Sequence, residues 1–300
     1  MQSPQIAIVA ATASGKSDLA MAFAAETAGT EIVCVDAMQV YRRMDIGTAK
    51  PTAADRSIVP HHCLDLVEPF ESFGVTDFQA AAALAARQIV ERGGVTLFVA
   101  GTGLYLKSLT DRFDPPGRWP DIRGELEAIS DVAALHARLA VLDPVAASKM
   151  EPTNARRVVR ALEVCLGSGR PFSSYGPGVD TYPPSDVVQV GLRWPRAVLT
   201  RRIADRVQAM IADGLLAEVA ALVDDPRGMS PTARQALGYK ELIDHLDGAM
   251  SLDAAVSLII QRTRQFSVRQ ERWFRRDPRI HWTDLVETSL EALPVLRSLV

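Results

Sequence analysis

The residues best equipped for chemistry stand near the start of the chain, where the run ATASGKS follows IAIVA from Ile6. An apolar strand ending in a small-residue loop closed by Gly15, Lys16 and Ser17 is a cradle for a diphosphate or triphosphate. Backbone N–H groups from Thr12, Ala13, Ser14 and Gly15 point inward in such a loop, and the helix that follows offers its positive N-terminus. Lys16 then pairs with phosphate oxygens, and the Ser17 hydroxyl holds a magnesium ion bridged by those oxygens. The usual pattern, GxxxxGK followed by Ser or Thr, has glycine where this chain has Ala10, the smallest replacement and one that suits any turn of negative φ. The plainer alternative is a helix start capped by Ser17 and Asp18, but a strand is legible before the loop and a helix after it.

Two further strand ends carry reactive groups. EIVCV, residues 31–35, runs into Asp36, a carboxylate placed where open α/β sheets bind ligands and available to take a proton. VTLFVA, residues 95–100, runs into GTGLYL, where Thr102 offers a hydroxyl and an N–H to the same site. The segment 37–52, AMQVYRRMDIGTAKPT, has no clear period and is rich in polar side chains, which favours a binding loop. A site of this kind holds a phosphorylated ligand with magnesium beside a base. It serves either phosphoryl transfer to a hydroxyl, as in small-molecule kinases, or transfer of a carbon chain with diphosphate as leaving group.

The elements that position these residues predict an α/β fold with a phosphate-loop type of parallel sheet flanked by helices. Helices are expected over 18–28, 76–92, 196–225 with a break near Gly214, and 251–276; strands are expected over 187–194 and, at an edge, 280–284. From Asp114 the chain turns to Pro/Gly punctuation and helical pattern until PGVDTYPP, so 1–113 with 186–300 reads as the catalytic core and 114–185 as a helical insertion. Within the insertion, NARRVVRALEV puts Arg156, Arg157 and Arg160 behind an Asn154 cap, with Val158, Leu162 and Val164 facing inward. Arg262, Arg269, Arg272 and Arg276 share a narrow face at about 100° per residue, with Trp273 and Phe274 between them. Either arginine group is a solvated face or a contact for nucleic-acid phosphates.

Composition bounds the rest. A hydrophobic content of 48% with 23% charged residues is that of an ordinary globular chain, and a net charge of −3 leaves any polyanion to local basic patches. Cys34, Cys63 and Cys165 are scattered and form no CxxC pair, and His61–His62–Cys63 cannot all face one metal, so neither disulfides nor zinc are expected. No leader-like N-terminus and no membrane-length apolar run are present, so the expectation is a cytoplasmic protein, with no obligatory protein partner inferred.

The order and spacing of TASGKS, VDAMQVYRRMDIGTAKPT, GTGLYLKSL, NARRVVRALEV and LGYKE closely resemble the bacterial tRNA dimethylallyltransferases, over residues 6 to about 276. That resemblance implies transfer of a dimethylallyl group from dimethylallyl diphosphate to N6 of the adenosine 3′ of the anticodon, with magnesium as cofactor. It also implies roles for particular residues. Asp36 matches the general base, Thr102 a threonine that helps position the reacting groups, and Arg234, in TARQALGYKEL, an arginine on the diphosphate. Thr12 to Ser17 match the diphosphate loop, with the metal at Ser17; Asp36, Ala37, Met38 and Gln39, and Arg156, Arg157, Val158, Val159 and Arg160, match segments that touch tRNA. The insertion matches the part that grips the anticodon stem. Ala10, Ala37 and Ala100 depart from the family pattern, each by one small residue for another. Rival readings are a phosphate-loop kinase, an adenylate prenyltransferase and a non-catalytic RNA-binding module.

Overall fold

The computed structural model describes residues 4–111, 115–176 and 178–300. The chain divides into two compact units, Met1–Asp111 with Tyr182–Val300, and Arg112–Thr181. The first is built on strands β1 (Gln5–Val9), β2 (Thr30–Val35), β3 (His61–His62), β4 (Val95–Ala100), β5 (Val187–Arg193) and β6 (Ile280–Asp284). They form one parallel sheet in the order β3-β2-β4-β1-β5-β6. This is the parallel phosphate-loop type of sheet that the sequence predicts, with β6 at one edge.

The other edge holds the two-residue strand β3, which the sequence did not signal. Its histidines are engaged locally: His62 Nε2 lies 2.6 Å from Glu31 Oε2, and His61 Nδ1 lies 2.7 Å from the Val59 carbonyl. Side chains alternate along β1, sending Ala7 and Val9 into one apolar cluster and Ile6, Ile8 and Ala10 into another. Both sheet faces are therefore covered, as a parallel sheet requires.

Helices α1 (Lys16–Glu26), α2 (Ala53–Ile58), α3 (Val75–Glu91) and α4 (Gly103–Thr110) precede the second unit, which contains α5 (Pro120–Glu127), α6 (Val132–Leu142), α7 (Pro144–Ser148) and α8 (Ala155–Ser168). After β5 come α9 (Arg196–Ala212), α10 (Leu215–Val223), α11 (Pro231–Arg234), α12 (Tyr239–Leu246), α13 (Leu252–Phe274) and α14 (Leu293–Arg297). The break between α9 and α10 falls at Gly214, whose φ of 100° suits glycine. Helix α4 starts at the second glycine of GTG, and that residue must be glycine because α13 crosses so near that a Cβ on Gly103 would come within 2.0 Å of the Trp273 ring.

Sheet register brings the reactive loops together. Val9 and Val35 both pair with Ala100, so β1, β2 and β4 end level, and Ala10, Asp36 and Gly101 open three neighbouring loops. Chain order reverses between β1 and β4, which makes a crevice of the kind where such sheets bind ligands.

The second unit has its own core, with Leu126, Leu135, Leu139, Val158 and Leu162 among its members. Asn154 caps α8 by accepting from the Arg157 N–H at 3.3 Å. Buried Glu163 accepts from the Trp119 N–H at 2.9 Å and pairs with Arg160 at 2.9 Å. Among the described residues, no helix is long and apolar enough to cross a membrane.

Candidate functional site

A cavity of about 600 Å³ opens at these strand ends. The loop Thr12–Ser17, Asp36 and Gln39 beyond β2, residues 48–51, Arg202 and Arg206 of α9, and Gln270 of α13 all line it.

Backbone strain and long-range hydrogen bonds shape the loop. Ala13 and Gly15 take positive φ, 60° and 80°, and a Cβ on Gly15 would meet Ser289 Oγ at 2.6 Å. Trp194 Nε1 donates to the Ser14 carbonyl and Arg202 Nε to the Ala13 carbonyl, each at 2.8 Å. Gln270 ties two loops together: its Oε1 accepts from the Thr12 N–H at 2.9 Å, and its Nε2 donates to the Gly101 carbonyl at 2.8 Å. With those groups engaged, the first-turn N–H groups of α1 have no intrahelical acceptor and face a ligand-sized space. Ser14 Oγ is buried in the loop with no hydrogen-bond partner, which suits a phosphate oxygen as its missing partner. Ala10 is absent from the positive-φ positions, and its N–H reaches the Ala100 carbonyl at 3.3 Å, so the turn makes no demand for glycine there.

Asp36 is fixed by its own turn. Its Oδ1 accepts the N–H groups of Met38 at 2.8 Å and Gln39 at 3.2 Å, and Thr102 Oγ1 accepts from the Ala37 N–H at 3.2 Å. Burial and the neighbouring Arg206 lower Lys16 from 10.5 to about 8, with Asp36 acting in the opposite sense. Burial lowers Arg206 as well, again opposed by Asp36. Two desolvated cations beside one carboxylate make a site that gains from a bound anion. Ser17, Asp36 and Asp205 supply only oxygen donors along the lining, the chemistry magnesium takes.

A family model described as IPP transferase matches residues 39–277. The chain belongs to this family. The match begins after the loop and Asp36, but relatives cover those as well: a tRNA dimethylallyltransferase of Kineococcus radiotolerans is 46% identical over 311 residues, 97% of each chain. The solved full-length tRNA isopentenylpyrophosphate transferase of Bacillus halodurans is 36% identical, with a TM-score of 0.73 over 99% of this chain and 95% of that one. A eukaryotic dimethylallyltransferase described as acting on tRNA aligns with a TM-score of 0.82 at 26% identity, over 99% of this chain and 77% of that chain.

Within this IPP transferase fold, the cavity gathers Thr12 to Ser17, Asp36 and Gln39, and Thr102 stands one hydrogen bond behind Asp36 through Ala37. Arg234 is not brought there. It ends α11 with its side chain half exposed, 3.6 Å from Asp247, and the arginines of the cavity are Arg202 and Arg206. In the second unit Arg156 and Arg157 are exposed on α8, whereas Val158 and Val159 are buried in the core and have no surface to offer a ligand. Arg160 is held by the Pro116 carbonyl at 2.8 Å and by Glu163. The arginine stripe on α13 is divided: Arg262 pairs with buried Glu241 at 2.6 Å, while Arg269 and Arg272 line a separate groove with Arg196 and Arg264. Sequence reasoning missed Arg202, Arg206 and Gln270. The four-residue spacing of the first two, after a strand of the same sheet, was an available signal; Gln270 had none.

Proposed function

We propose that this family member transfers the dimethylallyl group of dimethylallyl diphosphate to N6 of the adenosine immediately 3′ of the tRNA anticodon, releasing diphosphate. The observation that carries the reading is the convergence of Lys16, Arg206 and Asp36 on one cavity, cations for the leaving group beside a base for the nucleophile. An exocyclic adenine amine is a weak nucleophile, because its lone pair is delocalised into the ring. Asp36 accepts the N6 proton as the N6–C1 bond forms, its orientation kept by the Met38 and Gln39 N–H groups. The C1–O bond breaks with its electron pair going to the diphosphate, where Lys16, Arg206 and the α1 N-terminus meet the developing charge. Thr102 steadies the Asp36 turn through Ala37.

Ser17 and the ligand's phosphate oxygens are the groups that would hold magnesium, which when bound neutralises leaving-group charge. Because the target base sits in a stacked loop, it must be extruded to reach Asp36. Exposed Arg156 and Arg157 are suited to backbone phosphates of the anticodon stem.

The test is mass spectrometry of nucleosides from an adenosine-rich anticodon stem-loop incubated with the chain, dimethylallyl diphosphate and magnesium. The expected result is a prenyl mass gain on adenosine, absent when free AMP replaces the RNA. Gain on AMP alone, or ATP consumption without RNA, would overturn the reading in favour of a nucleotide prenyltransferase or a kinase.

A further inference from the structure

Residues 48–51 line the cavity although they belong to no helix or strand. They follow directly on a backbone segment that one distant side chain holds. Glu218, in the first turn of α10, is outside the cavity lining. Its Oε2 accepts from the N–H groups of Asp45 at 2.9 Å and Ile46 at 2.8 Å. Its Oε1 accepts from the Gly47 N–H at 3.2 Å and from the Tyr239 hydroxyl at 2.5 Å. Tyr239 is fully buried, and a Cβ on Gly47 would lie 2.5 Å from its ring, so only glycine lets the backbone approach both partners. Burial and the Glu218 carboxylate keep that phenol protonated, as its donor role requires.

Beyond the phosphate loop, the apolar lining of the cavity has three sources. Ala20, Met21, Ile32 and Val99 come from α1 and the sheet, which the core fixes; Phe266 comes from α13; and Ala49 and Pro51 come from the irregular segment. Dimethylallyl diphosphate has one apolar part, and these are the surfaces that can receive it. We propose that Glu218 is a positioning residue that, through the backbone of Asp45–Gly47, sets the Ala49–Pro51 wall against the prenyl group. The inference rests on the transfer reading above and adds what fixes the fit of the donor's tail.

The test is calorimetric binding to the full chain of two probes, inorganic diphosphate and the unreactive dimethylallyl thiodiphosphate, each with magnesium. Glu218→Gln keeps size but sets an amide N–H₂ against backbone donors. Expected is an affinity loss of about tenfold for the prenyl analogue, with inorganic diphosphate changed by less than about twofold. Tyr239→Phe removes only the phenol contact and should move the same ratio in the same direction by about threefold, which decides the matter if the Glu218 variant does not fold. Equal losses for both probes, or none, would overturn the proposal, since a general structural defect has no reason to single out the prenyl part. Failure of the unaltered chain to bind either probe would remove the transfer reading and this inference together, and is recognisable because it precedes any substitution.

Discussion

Residues 12–17 line the cavity together with Gln39 and residues 48–51 of the segment 39–51, and the two segments are held in opposite ways. The first segment is bracketed by a strand and a helix, and its shape is written in its own small residues: positive φ at Ala13 and Gly15, with carbonyls received by Trp194 and Arg202. The second has no regular structure and is held by side chains. Gln39 Nε2 donates to the Thr48 and Ala49 carbonyls at 3.1 Å. Buried Lys50 reaches the Tyr41 carbonyl, Asp45 and Asp65 at 2.6 to 2.7 Å, and Glu218 takes the three N–H groups before them. The phosphate wall therefore supplies charge and backbone donors from a rigid frame, and the opposite number supplies shape from anchored chain. Charge removed from the first wall should abolish function at little loss of stability, and anchors removed from the second should loosen fit.

Lys16→Ala attacks the charge directly. Diphosphate affinity and kcat/KM should fall by on the order of a hundredfold to a thousandfold, with the thermal midpoint at neutral pH no lower than that of the unaltered chain because a desolvated charge is removed, checked by calorimetry, thermal unfolding and steady-state kinetics. Gln270→Leu attacks the frame instead. It leaves the Thr12 N–H and the Gly101 carbonyl without partners, and should lower stability by about 2–4 kcal/mol and kcat/KM by about tenfold or more, read by denaturant unfolding and turnover.

Lys16 also sharpens the contrast through pH, with two effects of opposite sign. Its value in the folded, unliganded chain is about 8 against 10.5 unperturbed, so its charge opposes folding below about 8, and that opposition fades as pH rises toward 10.5. Ligand binding needs the charged form, so diphosphate affinity should decline across the same window. Both trends should be absent from Lys16→Met, measured by thermal unfolding and calorimetry between pH 7 and pH 10. Gln39→Leu should have the smallest effect: Lys50 and Glu218 still hold the second wall, so KM for the prenyl donor rises only a few-fold and stability drops by about 1 kcal/mol.

The same division explains what the sequence could reveal. The placement of the loop, Asp36 and Thr102 was legible because it is local, a residue type at a strand end, and the parallel sheet then aligns Val9, Val35 and Ala100. Gln270 and Glu218 were not legible, since each acts on backbone far away in the chain and shows itself only once α10 and α13 are packed. Arg234 shows where local reading stops: its place beside LGYKE was readable, whereas its position, at the end of α11 with the side chain 3.6 Å from Asp247 and outside the cavity lining, depends on packing that the sequence does not display. Likewise, a sequence segment 156–160 treated as one contact hides a helix whose arginines and valines face opposite environments.

The central claim is that Asp36 takes the proton from the adenine amine, and Asp36→Asn tests it most directly. Asparagine keeps an oxygen for the Met38 and Gln39 N–H groups, so the turn is preserved while the basic carboxylate is lost. Single-turnover prenylation of the anticodon stem-loop, followed by nucleoside mass spectrometry, should slow by about a hundredfold to ten-thousandfold, with diphosphate affinity changed only a few-fold. Prenylation at the unaltered rate in that variant would contradict the account.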